Sequence, residues 1–401
     1  MIRTIILGIF MFMILVILHE LGHFITARKS GVKVLEFGIG IPPKICKLGT
    51  DKKGTEYTLN LIPLGGFCRL KGEDPNDKAD FYAKDSFISA KFRKKILILA
   101  GGVLANFFVA WIIFAGVFTA GTKPISVLPE NAIQGESQSL LMPTYSSLEK
   151  QGFISGEKTD MPLVVDTIMD QSLADELGFM TGDIITNINS DTVNARNIGA
   201  VLKENIGEKI NIAYIRNGSK TVVSSQCPED NCVLGIVFST SGNLQIQDIK
   251  YPLPKSLRLG LKEVGAQVDL TFTALGKLGK NLVSFDRSKI KGSLSGLTGP
   301  VGVIKFGENL LNSGGRVLYI AFAGMISLAL AIFNILPIPA LDGGRMLGVI
   351  IQKASRLKAE KYFVIEGYIN TVFFILLMIL GIYIIFKDLV VFRGVNIPFL
   401  G

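Results

Sequence analysis

Histidine and cysteine, the residues from which most protein zinc sites are built, are scarce in this sequence. The 401 residues contain two histidines and four cysteines. Cys46 and Cys68 are isolated, whereas Cys227 and Cys232 form a C-x4-C pair with no histidine or second cysteine pair nearby. Zinc binding by this pair is therefore less favoured than a disulfide, which is possible if the compartment is oxidising.

Charge is also sparse, at 19% of residues, and it is unevenly distributed. Residues 28–95 carry 15 Lys and Arg and residues 341–361 carry five, against ten acidic residues in the two segments together. Cytoplasmic loops of membrane proteins collect Lys and Arg, so both segments are predicted to be cytoplasmic and their cysteines reduced. These segments account for the net charge of +9, because the remainder is about neutral. The basic pI therefore reflects membrane topology, and no nucleic-acid partner is expected.

Four long apolar runs are present, each with the roughly 20 residues that a helix needs to cross a bilayer. They span Ile5–Ala27, Ile96–Ala120, Val317–Ala340 and Tyr368–Phe386. The first could be a cleaved signal peptide, but no small-residue cleavage site follows it. The lipid bilayer is therefore the solvent of much of this chain, with residues 121–316 and both termini on the side opposite the basic segments.

The first cytoplasmic segment has short strand signals. Glu56–Leu61 alternates polar and apolar residues, Pro63, Gly65 and Gly66 are expected to break the strand, and Phe67–Leu70 is expected to resume it. The pattern predicts a hairpin-like element close to the membrane.

The long segment on the opposite side contains an α/β module at about 160–240. Helices are predicted at Ser172–Gly178 and Ile198–Glu204. The predicted strands are Leu163–Ile168, Ile184–Ile188, Ile210–Arg216 and Lys220–Ser224, the last two joined by a turn at Asn217-Gly218.

Apolar residues recur at helical spacing between Leu257 and Leu282. They predict an amphipathic helix or a pair of helices, which either packs on the module or lies on the membrane surface.

The two histidines stand together in the first apolar run, as His19-Glu20-Leu21-Gly22-His23. Positions i and i+4 share one face of a helix, so both imidazoles can bind one Zn2+, and Glu20 can act as general base. Ionisable groups are expensive inside a membrane and are usually functional there. His19 lies 14 residues, or about 21 Å, beyond Ile5, which excludes a soluble zinc protease.

Asp342 is the candidate third zinc ligand. It stands at the cytoplasmic end of the third apolar run, directly after Pro337 and Pro339. Proline breaks a helix and could turn the Asp342 carboxylate towards the metal. Taken alone, an Asp-Gly-Gly sequence would be an ordinary helix-end turn.

These residues resemble the site-2 protease family of intramembrane zinc metalloproteases, specifically its bacterial regulator-of-sigma-E protease branch. HELGH and N-x-L-P-x-P-x-L-D-G-G, which begins at Asn334, match its two catalytic motifs. The resemblance implies that His19, His23 and Asp342 bind zinc, Glu20 is the base, and Asn334 contacts substrate or the developing oxyanion. Ile62 to Phe67 resembles the family's membrane-associated β-loop, in which Gly65 and Gly66 would contact substrate.

The outside module resembles a single bacterial PDZ domain, through the sequence from Ser172 to Asn189. Its peptide groove could be altered, because Glu176 and Leu177 stand where small residues are common. The second span also departs from the family, which has a Gly-Pro pair with an asparagine four residues after the glycine. Counted from Gly101, proline is replaced by Gly102, and Asn106 comes one residue late.

The predicted fold is a multi-pass α-helical membrane protein with four transmembrane helices, a membrane-associated β-hairpin or sheet and an inserted α/β PDZ domain. The predicted segments are a first span at 1–27, a cytoplasmic segment at 28–95, a second span at 96–120, an extracytoplasmic segment at 121–250, amphipathic helices at 251–316, a third span at 317–340, a cytoplasmic segment at 341–367, a fourth span at 368–386 and an extracytoplasmic tail at 387–401.

The resemblance implies a protease of the bacterial inner membrane whose active site lies near the cytoplasmic face. Its substrates would be membrane segments of single-pass proteins, such as anti-sigma factors or remnant signal peptides, and the PDZ domain could bind a peptide. A non-enzymatic PDZ scaffold is the alternative, and the intact HExxH motif argues against it. A zinc-dependent transporter would need more intramembrane ligands and more spans.

Overall fold

Four helices of the structure, a computed structural model, are long and apolar enough to cross a membrane. The spans that meet these criteria are Thr4–Ser30, Phe92–Ala120, Gly315–Ile335 and Val364–Asp388. They agree with the four predicted spans in number and order. The structure describes residues 2–73, 83–128, 138–155, 163–168, 172–194, 197–216, 218–228, 232–239, 245–284, 299–355 and 359–392.

The helices are mostly longer than the apolar runs that predicted them. α1 spans Ile2–Ser30 and α2 spans Phe92–Ala120, so both continue into flanking basic residues. The last helix of the chain also continues past the predicted end of its span, to Phe392. Residues 393–401 of the predicted tail lie outside the described part of the chain.

β1, Val34–Thr50, and β2, Glu56–Leu70, form an antiparallel sheet between α1 and α2. The predicted break at Pro63, Gly65 and Gly66 is wrong, because β2 runs through these residues. Both strands bend, and residues 36–39 of β1 pair with 56–59 of β2 on one side and with 66–69 on the other. The segment 66–70 is therefore an edge of the sheet, and glycines inside a strand permit the bend that puts it there.

The chain divides into two compact units, and the larger comprises residues 1–127, 137–143 and 249–401. α2 is central in this unit. It packs against α1 and against α6, which spans Leu253–Val283. From the sequence, this amphipathic helix was expected to pack on the α/β module or to lie on the membrane surface. In the structure it packs against α2. The reason lies in Gly260, where a Cβ would come within 2.8 Å of the Ala115 backbone nitrogen, so the two helix backbones touch.

The part of this unit that the structure describes contains three further helices. α7 spans Pro300–Ile335 with a break at Gly315, where φ is 70°. α8 spans Asp342–Ser355, and α9 spans Ala359–Phe392. The third span was predicted to continue to Ala340, but its helix ends five residues earlier, because prolines at 337 and 339 cannot continue it.

The smaller unit comprises residues 128–136 and 144–248, and the predicted strands and helices of the module are present in it. Its described strands are β3 Ile154–Ser155, β4 Leu163–Ile168, β5 Ile184–Ile188, β6 Asp191–Thr192, β7 Lys209–Arg216, β8 Ser219–Gln226, β9 Ile236–Ser239 and β10 Gln245–Ile246. Six of them form one sheet with strand order β8-β7-β5-β4-β9, in which β6 pairs with β5. The helices are α3 Tyr145–Lys150, α4 Leu173–Glu176 and α5 Ile198–Glu204.

Local signals explain several of these boundaries. The Ser172 hydroxyl accepts a hydrogen bond from the Asp175 N–H and caps α4, and Gly178 adopts a φ of 69° after that helix. Cys227 and Cys232 form a disulfide in the apolar core of this unit, and Cys46 and Cys68 are free. Asn217 of the predicted turn lies outside the described residues.

Candidate metal centre

α1 places both histidines on one buried face. His19 and His23 are one helical turn apart, and 6% and 9% of their surfaces are exposed. Their Nε2 atoms lie 3.2 Å apart. The i, i+4 spacing alone predicts this arrangement, because it returns the chain to the same face of the helix.

A tight turn between α7 and α8 brings Asp342 to the histidines. Ala340 has a φ of 74°, and its N–H donates a hydrogen bond to Asn370 Oδ1 of α9 over 3.0 Å. Gly343 and Gly344 follow Asp342 directly. A Cβ at Gly343 would collide with the carbonyl oxygen of residue 335, and one at Gly344 would collide with that of residue 338. The Asp-Gly-Gly sequence is therefore required by the close return of the chain at this point.

The three side chains converge on one point. Asp342 Oδ2 lies 3.0 Å from His19 Nε2 and 3.2 Å from His23 Nε2. Two ligand atoms on one tetrahedral Zn2+ are separated by about 3.3 Å when each bond is 2.0–2.1 Å. The two imidazoles and the carboxylate thus fit Zn2+ in both spacing and chemistry, and they are the group of potential metal ligands found among the described residues.

Contacts at the Nδ1 atoms, on the opposite side of each ring from the candidate metal position, orient the two imidazoles. His23 Nδ1 lies 2.8 Å from the carbonyl oxygen of Ile98, so Nδ1 carries the proton and Nε2 is free for a metal. Asn106 Nδ2 lies 3.3 Å from His19 Nδ1, while Asn106 Oδ1 is buried and has no hydrogen-bond partner among the described residues. Exchanging the two amide atoms gives the His19 N–H the acceptor that it lacks.

Gly102 gives the imidazoles their space. A Cβ at this position would collide with the Nε2 atoms of both His19 and His23. Counted from Gly102, Asn106 comes four residues later, so the two lie on one face of α2.

Glu20 lines two cavities at the centre. The smaller, of about 220 Å3, is bordered by Asn106, Asn334 and Asp342. The larger, of about 350 Å3, is bordered by Asp342, Arg345 and the β2 edge. Cys68 also lines the larger cavity, and burial raises the pKa of its thiol, so it is protonated at neutral pH and a poor metal ligand.

Gly65 and Gly66 lie beside the same helix face as Glu20. A Cβ at Gly65 would lie 3.4 Å from Val16, and one at Gly66 would lie 2.9 Å from the Gly38 carbonyl oxygen and 3.7 Å from Glu20 Cγ. The structure therefore assembles all seven residues that the sequence singled out around one region. The sequence did not identify Asn106 and Arg345 as members of it, although a polar Asn106 inside an uncharged span was a signal.

Residues 7–380 match the family profile of Peptidase family M50. A candidate zinc metalloprotease of Clostridium acetobutylicum is 29% identical over 392 residues, which cover 96% of this chain and 97% of the relative. The zinc metalloprotease RasP of Bacillus licheniformis is 28% identical, over a match that covers 94% of this chain and 97% of the relative. The chloroplastic membrane metalloprotease ARASP of Arabidopsis thaliana is 27% identical, over a match that covers 93% of this chain and 76% of the relative.

Proposed function

Because the chain belongs to peptidase family M50 and is a zinc metalloprotease of a membrane, we propose that it hydrolyses peptide bonds within membrane-spanning segments. His19, His23 and Asp342 hold the Zn2+ in this proposal, and Glu20 is the catalytic base. The observation that carries it is the convergence of three ligand atoms within 3.2 Å of one another, beside Glu20 and two cavities.

Each residue has a separate task in the proposed reaction. Bound Zn2+ supplies Lewis acidity towards the scissile carbonyl and makes water more acidic. Glu20 accepts a proton from the attacking water and delivers it to the departing amine nitrogen as the C–N bond breaks. Asn334 lines the smaller cavity, where its amide N–H groups are suited to stabilise charge on the carbonyl oxygen.

Glu20→Gln tests the proposal, since it removes the base and changes little else. We expect cleavage of a membrane-inserted substrate by the purified, full-length protein to fall at least a hundredfold, because general-base catalysis contributes about 10²–10⁴-fold. Zinc content, measured by atomic absorption, should stay at the wild-type level. Glu204→Gln, which alters an exposed residue of α5, is the matched control. Retained cleavage in Glu20→Gln would exclude this assignment.

The surroundings of Glu20 support an unwound membrane segment as the substrate. A helix in a membrane hides its carbonyls in hydrogen bonds, so a substrate must unwind before it is cleaved. The 66–70 edge of β2 borders the larger cavity with Glu20, and among the described residues β2 pairs with β1 alone. In this proposal an unwound substrate adds to this edge as an antiparallel strand, and Gly65 and Gly66 let β2 lie close to α1 and Glu20.

In this proposal, residues 160–240 within the smaller unit are a PDZ domain, which screens substrates from the outside of the bacterial inner membrane. Its support is the sequence pattern from Ser172 to Asn189, a sheet with two helices, and a disulfide of the kind that persists in oxidising compartments. The excess of Lys and Arg in residues 28–95 and 341–361 supports a metal centre nearer the cytoplasmic face.

Deleting residues 160–240 tests this screening role. We expect the shortened enzyme to cleave substrates with bulky outside domains that the full-length enzyme rejects, while it cleaves short-tailed substrates at an unchanged rate. Both classes would be assayed in the same proteoliposomes. An unchanged ratio of the two cleavage rates would contradict the role.

A further inference from the structure

The larger cavity beside the metal centre holds an arginine that the proposed hydrolysis does not use. Arg345 lies one turn after Asp342 on α8, so the two side chains project towards the same region. Both line the cavity of about 350 Å3, together with Glu20 and the 66–70 edge of β2. The guanidinium is therefore next to the space in which a peptide bond would be cut.

Arg345 has unused hydrogen-bond donors. Its Nη1 pairs with Glu73 Oε1, and the other Glu73 oxygen accepts from the Leu70 N–H over 3.1 Å. Among the residues that the structure describes, its Nη2 and Nε have no hydrogen-bond partner. The side chain keeps 23% of its surface accessible, and Arg345 lines the cavity. A planar guanidinium with a free edge is suited to bind a carboxylate with two parallel hydrogen bonds.

The cavity has a second arginine, which differs from the first. Arg69 lies on the β2 edge with 56% of its side chain exposed, and its Nη2 lies 3.2 Å from Glu36. Arg69 is therefore a solvated side chain at the rim, whereas Arg345 lies deeper and close to Asp342. This difference provides a matched control within the same cavity.

Peptide hydrolysis creates an anion at this place. The attacking water becomes part of a new carboxylate on one fragment, and the other fragment leaves as an amine. Glu20, Asp342 and Glu73 all face the same cavity and would repel that carboxylate. A nearby cation with free donors offsets this repulsion and gives the fragment a place to move to as it leaves the position of cleavage.

We propose that Arg345 is a binding site for the carboxylate of the fragment that carries the new C-terminus, with Glu73 as the ion-pair partner that the fragment displaces. The proposal rests on the proposed peptidase function. It assigns the cavity of about 350 Å3 to the departing product.

Peptide binding to the full-length, zinc-loaded protein tests the site without a cleavage assay. Three fluorescent hexapeptides of one sequence would be compared by anisotropy: one with a free C-terminal carboxylate, one amidated, and one amidated with a final glutamate side chain. We expect the free acid to bind at least tenfold more tightly than the amide. The glutamate peptide should resemble the amide if the site takes a chain terminus, whereas tight binding of it would show that the site takes acidic side chains instead.

Variants assign the preference to Arg345. In Arg345→Gln the acid-to-amide ratio should fall at least tenfold while amide binding stays unchanged. Arg69→Gln should leave the ratio unchanged. Glu73→Gln, which keeps Arg345 and removes its competitor, should increase the ratio, and this increase tests the site even if Arg345→Gln fails to fold.

An equal ratio in wild type, Arg345→Gln and Glu73→Gln would overturn the proposed site. If these variants cleave a substrate normally but show no change in ratio, the carboxylate site fails and the peptidase function stands. If the wild type cleaves nothing although the ratio changes as expected, the peptidase function fails instead.

Discussion

A single side-chain amide decides how well His19 is prepared to bind metal. Asn106 is fully buried, and it reaches His19 Nδ1 from the neighbouring helix. Its backbone carbonyl accepts a hydrogen bond from the Ser327 hydroxyl over 3.1 Å, which fixes α2 against α7 at the same level. An acceptor at Nδ1 directs the imidazole proton away from Nε2 and raises the basicity of the ligand. We therefore infer that Asn106 positions His19 in the proposed metal centre.

Asn106→Leu keeps the shape of the side chain and removes the acceptor. We expect zinc affinity to fall by about 10–100-fold, the range observed for the loss of such second contacts. Competition with a chelator of known affinity measures this directly on the full-length protein.

Asn106→Asp retains an acceptor and should bind zinc at least as tightly as Asn106→Leu does. Ser327→Ala removes the neighbouring hydrogen bond without altering the amide, and it is the control for helix packing. Equal affinities in wild type and Asn106→Leu would contradict the role of the amide.

At the scale of elements, the packing of α6 on α2 depends on backbone contact. A Cβ at Gly260 would lie 2.8 Å from the Ala115 nitrogen and 3.0 Å from the Trp111 carbonyl oxygen. The Trp111 indole N–H donates to the Leu257 carbonyl oxygen over 2.8 Å. Further along α6, Glu263 is buried and accepts hydrogen bonds from the Ser139 hydroxyl and from backbone N–H groups. These contacts fix α6 at one level along α2.

Gly260→Ala should destabilise the protein although alanine favours helices. Both atoms that a new Cβ would meet belong to the backbone and cannot move aside, and overpacking of this kind costs about 1–3 kcal/mol. Gly265→Ala, on the same helix with open space around it, should be neutral or stabilising by about 1 kcal/mol. Thermal unfolding in detergent compares the two, and equal shifts in Tm would contradict the contact.

The elements differ in how far the sequence predicts them. The four spans follow from length and hydrophobicity, because a bilayer demands about 20 apolar residues whatever the fold. The partner of α6 does not follow from the sequence. An apolar helix face indicates that another surface covers it, but it does not identify that surface. β2 was misjudged for a related reason. Glycines usually interrupt a strand, but here Gly65 and Gly66 let β2 bend beside α1.

The candidate metal centre is likewise predictable from the sequence only in part. Helical periodicity requires His19 and His23 to share a face, so their pairing is predictable from two residues. The arrival of Asp342 depends on the turn at Ala340 and on glycines that accept close carbonyl contacts. Motif resemblance anticipates Asp342, whereas periodicity and composition carry no information about it. Arg345 was missed because an arginine after a helix start has no distinctive sequence pattern.

At the scale of the whole molecule, the smaller unit has its own dependence on pH. Asp183 is 1% exposed, and its carboxylate accepts hydrogen bonds from Arg216 Nε and Nη2 over 2.7 and 2.6 Å. The Arg216 hydrogen bonds lower the pKa of Asp183 below its ordinary value. A group whose pKa is lower in the folded state stabilises the fold above its unfolded pKa, about 3.9 for Asp, and this contribution is lost as pH falls through the folded pKa.

We therefore expect the smaller unit to lose stability progressively, and to open more often, as pH falls below about 4. Hydrogen exchange of β5 and β7 amides in the full-length protein, followed between pH 7 and pH 3, measures the opening after correction for intrinsic exchange rates. Asp183→Asn should be less stable at pH 7 and should lose most of this pH dependence. Asp191→Asn, on the exposed β6 strand, is the control. The same pH dependence in Asp183→Asn and wild type would exclude this ion pair as its source.

The distance along the chain between the metal-binding groups has a consequence for synthesis. Two candidate ligands are in the first helix, and the third is residue 342. At the usual translation rate of about 5–20 residues per second, roughly 15–60 seconds separate the emergence of His23 from that of Asp342. During that interval the nascent chain carries HELGH without the carboxylate that completes the centre. In the proposed mechanism, the protein therefore cannot cleave the membrane proteins made nearby until its third span has been inserted.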